Sequence, residues 1–178
     1  MNRSSTPSAP ASEDVDTLGD LLATEHGVIY GYGVAGAAAA AGSPQRPAET
    51  GTTGPVTGPA EVRAAAAVAQ AATGLDVHRT RRDALIDRIR ALGGTPPEPL
   101  PAYQLPITPH DAVSALRLIG QLEDDVAVAC HAALVRAATG QVRDFAAGTL
   151  ADAAGRGARA RLTAGDPPAT VLAPLPGS

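Results

Sequence analysis

Apolar residues recur every three or four positions along four stretches of the chain, separated by segments rich in Pro, Gly and Thr. That spacing holds side chains on one face of an α-helix. It predicts helix A over 16–41, B over 60–92, C over 109–138 and D over 141–162. The stripes read Leu18, Leu22, Glu25, Ile29, Tyr32, Gly36 and Ala39 on A, and Val68, Ala71, Leu75, His78, Arg82, Leu85 and Ile89 on B. On C they read Leu116, Ile119, Glu123, Val126, Cys130 and Leu134; on D they read Val142, Phe145, Thr149 and Arg156, with Asp152 at the edge. Helix B opens on Pro59 and Glu61 and stops at Gly93-Gly94, while Pro109 takes the first position of C. Proline fits the first turn of a helix and glycine fits its exit. Gly140 separates C from D with almost no loop, which demands a tight antiparallel hairpin.

The connections decide the topology. Residues 1–15 and 163–178 are proline-broken and polar and are expected to be disordered tails. The 42–59 linker has almost nothing apolar and is expected to be mobile. The 93–108 segment instead combines repeated prolines with Leu100, Tyr103, Leu105 and Ile107. Polyproline geometry rises about 3.1 Å per residue, so roughly 15 residues cover about 45 Å, the length of a helix of about 30 residues. Such a strap runs the length of a bundle and leaves B and C parallel. The predicted architecture over 16–162 is an all-α antiparallel four-helix bundle, two helical hairpins joined by a long Pro-rich crossover.

Composition supports helices and thins the core. Alanine dominates the apolar residues, against one Phe, three Tyr and no Trp; Ala favours helix and is depleted in strands. The formal charge of −4 gives no footprint for nucleic acid or an anionic membrane. No apolar run is long enough to span a bilayer, and the first residues lack the apolar core of a secretory leader. Cys130 is the single cysteine, which excludes an intramolecular disulfide and fits a reducing compartment. A cytoplasmic protein is expected, as a monomer or a homodimer.

The stretch "GVIYGYGVAGAAAA" places Gly31, Gly33 and Gly36 in the spacing of the dinucleotide fingerprint. That fingerprint works only between a strand and a helix, and here the flanking residues keep a helical period on both sides. No nucleotide site is expected; the small residues are read instead as places where helices approach closely.

The stripes carry polar groups where a core-facing helix should carry Leu. A buried carboxylate must be paired, protonated or bound to metal. With the crossover topology, Glu25, His78 and Glu123 fall within roughly 6 Å of one another in height along the bundle, and Asp152 lies about a turn away. Tyr32 points inward near Glu25, and Arg82 stands one turn from His78. His26 and His131 lie off the stripe centres and read as surface or interface residues. The basic run "HRTRRD", residues 78–83, points around the whole helix without interleaved aromatics and reads as a solvated face with one inward Arg.

An up-down pair, a long crossover, a second pair and inward Glu and His near mid-helix resemble the ferritin-like superfamily. More narrowly, "ATEHGVIYGYGVAG", "HRTRRDALIDRIRALGGTPPEPLPAYQLP" and "QLEDDVAVACHAAL" are similar to actinobacterial ferritin-like proteins of unknown function. The superfamily resemblance implies a dinuclear iron or manganese site built from two single glutamates and two Glu-x-x-His pairs. Glu25 and Glu123 match the single glutamates, His78 matches one histidine and Asp152 replaces a further glutamate. The paired spacing fails: Leu75 precedes His78 by three, Val128 precedes His131 by three, and Gly155 follows Asp152 by three. A guanidinium at Arg82 would also repel a metal. Two readings follow. The favoured one is a non-catalytic bundle without a cofactor, its metal site degenerated into a buried polar network of Glu25, His78, Arg82, Glu123 and Tyr32. The alternative is an iron or manganese carboxylate oxidoreductase acting on O₂ or peroxide through Glu25, His78, Glu123 and Asp152.

Overall fold

The computed structural model describes residues 9–42 and 58–171. They form α1 (Ala9–Ala41), α2 (Pro59–Ala91), α3 (Ala112–Arg136), α4 (Gly140–Ala164) and a single turn, α5 (Pro168–Val171), with no strand among them. The fold is an all-α bundle of two helical hairpins, α1 with α2 and α3 with α4. The expected mobile linker lies outside the described residues for all but its ends.

Local chemistry sets the helix limits. Pro59 starts α2, and the Glu61 carboxylate accepts the Gly58 N–H at 3.1 Å. Asp111 caps α3 by accepting the Ser114 N–H at 2.7 Å, so this helix begins after His110 rather than at Pro109. Gly165, with φ 100°, closes α4 in the left-handed conformation that favours glycine.

The helix start of α1 corrects the expected tail at 1–15. Residues 9–15 are helical because Asp14 is buried and accepts the Ala138 N–H at 2.8 Å, tying α1 to the turn between α3 and α4. Val15 packs on the core beside Gly94. At the other end, α4 continues to Ala164 and is followed by α5, where a structureless tail from 163 is expected.

Contacts fix the directions. Gly36 approaches Ala71 and Tyr32 approaches Gly74, so α1 and α2 are antiparallel. Glu123 meets Arg156 and Arg117 meets Asp166, so α3 and α4 are antiparallel too. Leu122 rests on Gly31, and Asp111 on Gly42, bringing α3 antiparallel against α1. The crossover runs along α1 as its apolar residues predict: Tyr103 lies over Gly27, and Leu105 and Ile107 pack on the core. Leu100 is the exception and stays exposed. The His26 ring, expected at the surface, is buried with its Nε2 3.2 Å from the Pro97 carbonyl, so it fastens the strap.

Gly31, Gly33 and Gly36 lie inside the unbroken α1. Gly31 faces Leu122 and Leu105, and Gly36 faces Ala71, while Gly33 faces open space. Two of the three therefore sit at close approaches, and the strand-turn-helix context of a phosphate loop is missing here.

Candidate functional site

Midway along the bundle the apolar core gives way to a chain of buried charges. Glu25 from α1, His78 and Arg81 from α2, and Glu123 from α3 are all buried, and Arg156 from α4 closes the set. His78 lies at the centre: its Nδ1 is 2.7 Å from Glu25 Oε2 and its Nε2 is 3.0 Å from Glu123 Oε1. An ionised carboxylate only accepts, so with both glutamates ionised the two ring nitrogens are placed to donate, as those of an imidazolium do. Arg81 Nη1 donates to Glu25 Oε1 at 3.1 Å. Arg156 grips Glu123 with both ends of its fork, Nε to Oε1 at 2.7 Å and Nη2 to Oε2 at 3.1 Å, the bidentate geometry guanidinium is shaped for. The Tyr32 hydroxyl donates to Glu123 Oε1, and its ring lies 4.8 Å from that of His78.

The electrostatics follow from burial set against pairing. Burial alone would push the His78 pKa down, but the hydrogen bonds and charges of Glu123 and Glu25 outweigh it and hold the imidazole above its ordinary value. Burial would push Glu123 up, but His78 and Arg156 hold its carboxyl below the usual range. Tyr32 is driven up, first by burial and then by the Glu123 charge, so it stays a neutral donor. Cys130 sits in apolar surroundings near the network, and burial pushes its thiol up to about 12, which leaves it unreactive as a nucleophile.

Packing was cut to admit these groups. A Cβ on Gly74 would lie 2.1 Å from Tyr32 Cε1, so only glycine leaves room for the ring. Gly157 similarly lets α4 approach the Glu123 stem, where a Cβ would come within 3.2 Å of Glu123 Cβ.

The residues named by sequence separate into three groups. Glu25, His78, Glu123 and Tyr32 converge as their stripe positions require. Arg82 does not join them: its guanidinium pairs with the adjacent Asp83 at 2.8 Å on the outside of α2, and Arg81 takes the inward place. Asp152 stands at the rim, its side chain 67% exposed and 3.9 Å from Arg81 Nη2. It is not a first partner of His78 or of either glutamate. Arg156, on the expected stripe of α4, is the network member that sequence reasoning placed but did not use.

A metal does not fit this donor set. Both nitrogens of His78 are spent on carboxylates, and each oxygen of Glu25 and Glu123 already faces an N–H or O–H donor. Among the described residues no buried side-chain nitrogen or oxygen lacks a partner, and no group of three or more His, Cys, Asp and Glu is arranged to hold an ion. The three cationic groups supply positive charge to the two carboxylates, and Asp152 at the rim balances the sum.

The domain of unknown function DUF4439 matches residues 56–178, which include the helices carrying His78, Arg81, Glu123 and Arg156. A conserved hypothetical protein of known crystal structure, rv2844 from Mycobacterium tuberculosis, is 32% identical and similar over 85% of this chain and 96% of its own, with a TM-score of 0.66. No curated protein matches the chain. Among the described residues no helix is long and apolar enough to cross a membrane.

Proposed function

We propose that this chain, which belongs to the DUF4439 family of ferritin-like domains, is a metal-independent, non-catalytic bundle whose ancestral metal site has become an ionic core. One observation carries the reading: Arg81 and Arg156 engage the two mid-helix glutamates from opposite sides of His78. Those are the carboxylates that would bridge or cap a metal pair in the superfamily. A guanidinium is always charged and presents its donors in a fixed fork, so it provides the positive charge without exchange, redox chemistry or open coordination positions.

Such a network specifies one alignment of four helices more than it adds net stability. Removing charges from water costs several kcal/mol per ion, and pairing roughly offsets the cost. In a core this rich in Ala, where small side chains constrain helix register weakly, a set of directional hydrogen bonds selects that alignment. The reading that fits is a non-catalytic bundle located in the cytoplasm and working alone or as a homodimer. It carries no oxidoreductase step.

The test is metal content. Protein purified from iron- and manganese-supplemented cells should carry metal far below one atom per chain, unchanged in Glu25→Ala. Stoichiometric metal that disappears in Glu25→Ala would overturn the proposal.

A further inference from the structure

α3 is apolar on two sides. Its inner side builds the core through Leu116, Ile119, Val126 and Cys130, yet its outer side carries Val128, 65% exposed, and Val135, 76% exposed. These are the two most exposed large apolar side chains among the described residues. Neither helix propensity nor solvation favours valine at an exposed helical site. At about 100° per residue, Val128, Ala132 and Val135 fall within about 60° of one another, and all three are exposed. Val62 and Val68 on α2, by contrast, lie about 120° apart and share no face. Charges flank the α3 stripe unevenly. Asp125 and Arg136 lie on its α1 flank, where Arg136 reaches Asp20 of α1. Asp124 and His131 lie on its α4 flank, where Asp124 meets Arg161 of α4.

We propose that this stripe is the interface of a homodimer, with α3 packed antiparallel on α3 of a second copy about a two-fold axis level with His131 and Ala132. That axis sets Val128 against Val135 of the partner subunit, and the small Ala132 at the centre lets the helices close to about 8–10 Å. A two-fold axis that reverses α3 keeps each flank on its own side, so the α1 flank of one copy meets the α1 flank of the other. Asp125 then lies two residues, about 3 Å in height, from Arg136 of the partner subunit, and symmetry makes the pairing twice. A parallel pair would exchange the flanks and set Asp125 against Asp124 of the partner subunit, like charge against like. An isologous face must complement itself, and this one carries its acid and its base at opposite ends of an apolar stripe, which selects a second copy in one orientation. One helix face is small for a specific interface, below about 1,200 Å² in total, so the dimer should exchange with monomer. The inference rests on the homodimeric form of the proposed function and gives it a surface; mass and metal content are measured independently, so either reading can fail alone.

Sedimentation velocity on the full chain, from micromolar to near-millimolar concentration, should show a dimer fraction that rises with concentration. Val135→Glu, which puts a charge in the seam, should raise the dimer dissociation constant by about tenfold or more. Because the site is exposed, the same variant should leave the circular dichroism and melting temperature of the dilute chain unchanged. Asp125→Arg and Arg136→Asp should each weaken association by about threefold to tenfold. The two substitutions together restore opposite charges across the axis and should recover most of that loss. The proposal is overturned if the chain stays monomeric throughout, as it would if a different protein covered the stripe. It is equally overturned if Val135→Glu associates as the parent does, or if the double charge exchange associates no better than the single ones.

Discussion

Replacing Arg81 by Met separates the buried network from a generic surface arginine effect. The Arg81 side chain is 8% exposed and donates to a Glu25 carboxylate that is 3% exposed. Methionine retains most of the aliphatic stem and its packing, so what is lost is the charge. Glu25 is then left with His78 as its single charged partner. Removing one member of a buried pair costs about 3–5 kcal/mol, because the survivor keeps its desolvation penalty without compensation. A domain of this size holds about 5–15 kcal/mol in total, so the variant should sit near the edge of folding. Arg82→Met is the matched control one residue away: its guanidinium pairs with an Asp83 side chain that is 62% exposed, and such a pair is worth about 0–1 kcal/mol. Urea denaturation followed by circular dichroism reads both, with an unchanged m-value required for the comparison. Combining Arg81→Met with Glu25→Gln should recover part of the loss, since a neutral amide no longer needs the cation. Equal destabilisation by the Arg81 and Arg82 substitutions, or a negligible effect of Arg81→Met, would refute the placement of the network.

Two more expectations follow from the geometry. Gly74→Ala should cost about 1–3 kcal/mol by overpacking against the Tyr32 ring, whereas Gly33→Ala, which meets open space on α1, should stabilise by about 0.5–1 kcal/mol; thermal melts giving the same sign for both would contradict the assignment. The stability profile with pH should peak between the ordinary values of Glu123 and His78. Because the folded pKa of His78 is raised, its contribution is complete below 6.5 and is lost as pH rises through the folded value. Because that of Glu123 is lowered, its contribution is complete above 4.5 and is lost as pH falls. Urea midpoints measured across pH should fall on both sides of that window, and His78→Gln should flatten the alkaline limb.

Much of this molecule is legible in its pattern of apolar positions. The helical stripes, the hairpin around Gly140 and the prolines of the crossover determine the bundle, and stripe position places Glu25, His78, Glu123 and Tyr32 in its core. The exchange of Arg81 for Arg82 has a specific physical cause. On α2 the buried positions are Ala64, Ala67, Ala71, Gly74, His78, Arg81, Leu85 and Ile89, which alternate steps of three and four as far as Leu85, as a coiled-coil seam does. Larger apolar side chains at Val68 and Leu75 draw attention to a stripe displaced by one residue, whereas the true seam runs through Ala and Gly. In an alanine-rich helix, side-chain size is a poor guide to burial, and the alternation of threes and fours is the better one. Asp14 escaped notice for a different reason: its partners are backbone N–H groups at Ala138 and Thr139, remote in sequence and without a side-chain signature.

The protonation of His78 tests the closed network most directly. Nitrogen-15 NMR of the imidazole side chains distinguishes a doubly protonated ring from one with a free or metal-bound nitrogen. At neutral pH His78 should show both Nδ1 and Nε2 protonated, with hydrogen bonds to Glu25 and Glu123, and the signals should survive added Mn²⁺ or Fe²⁺. A single unprotonated nitrogen on His78, or selective loss of its signals at one equivalent of metal, would mean that the core is open to a cation and that the guanidinium pairs do not replace it.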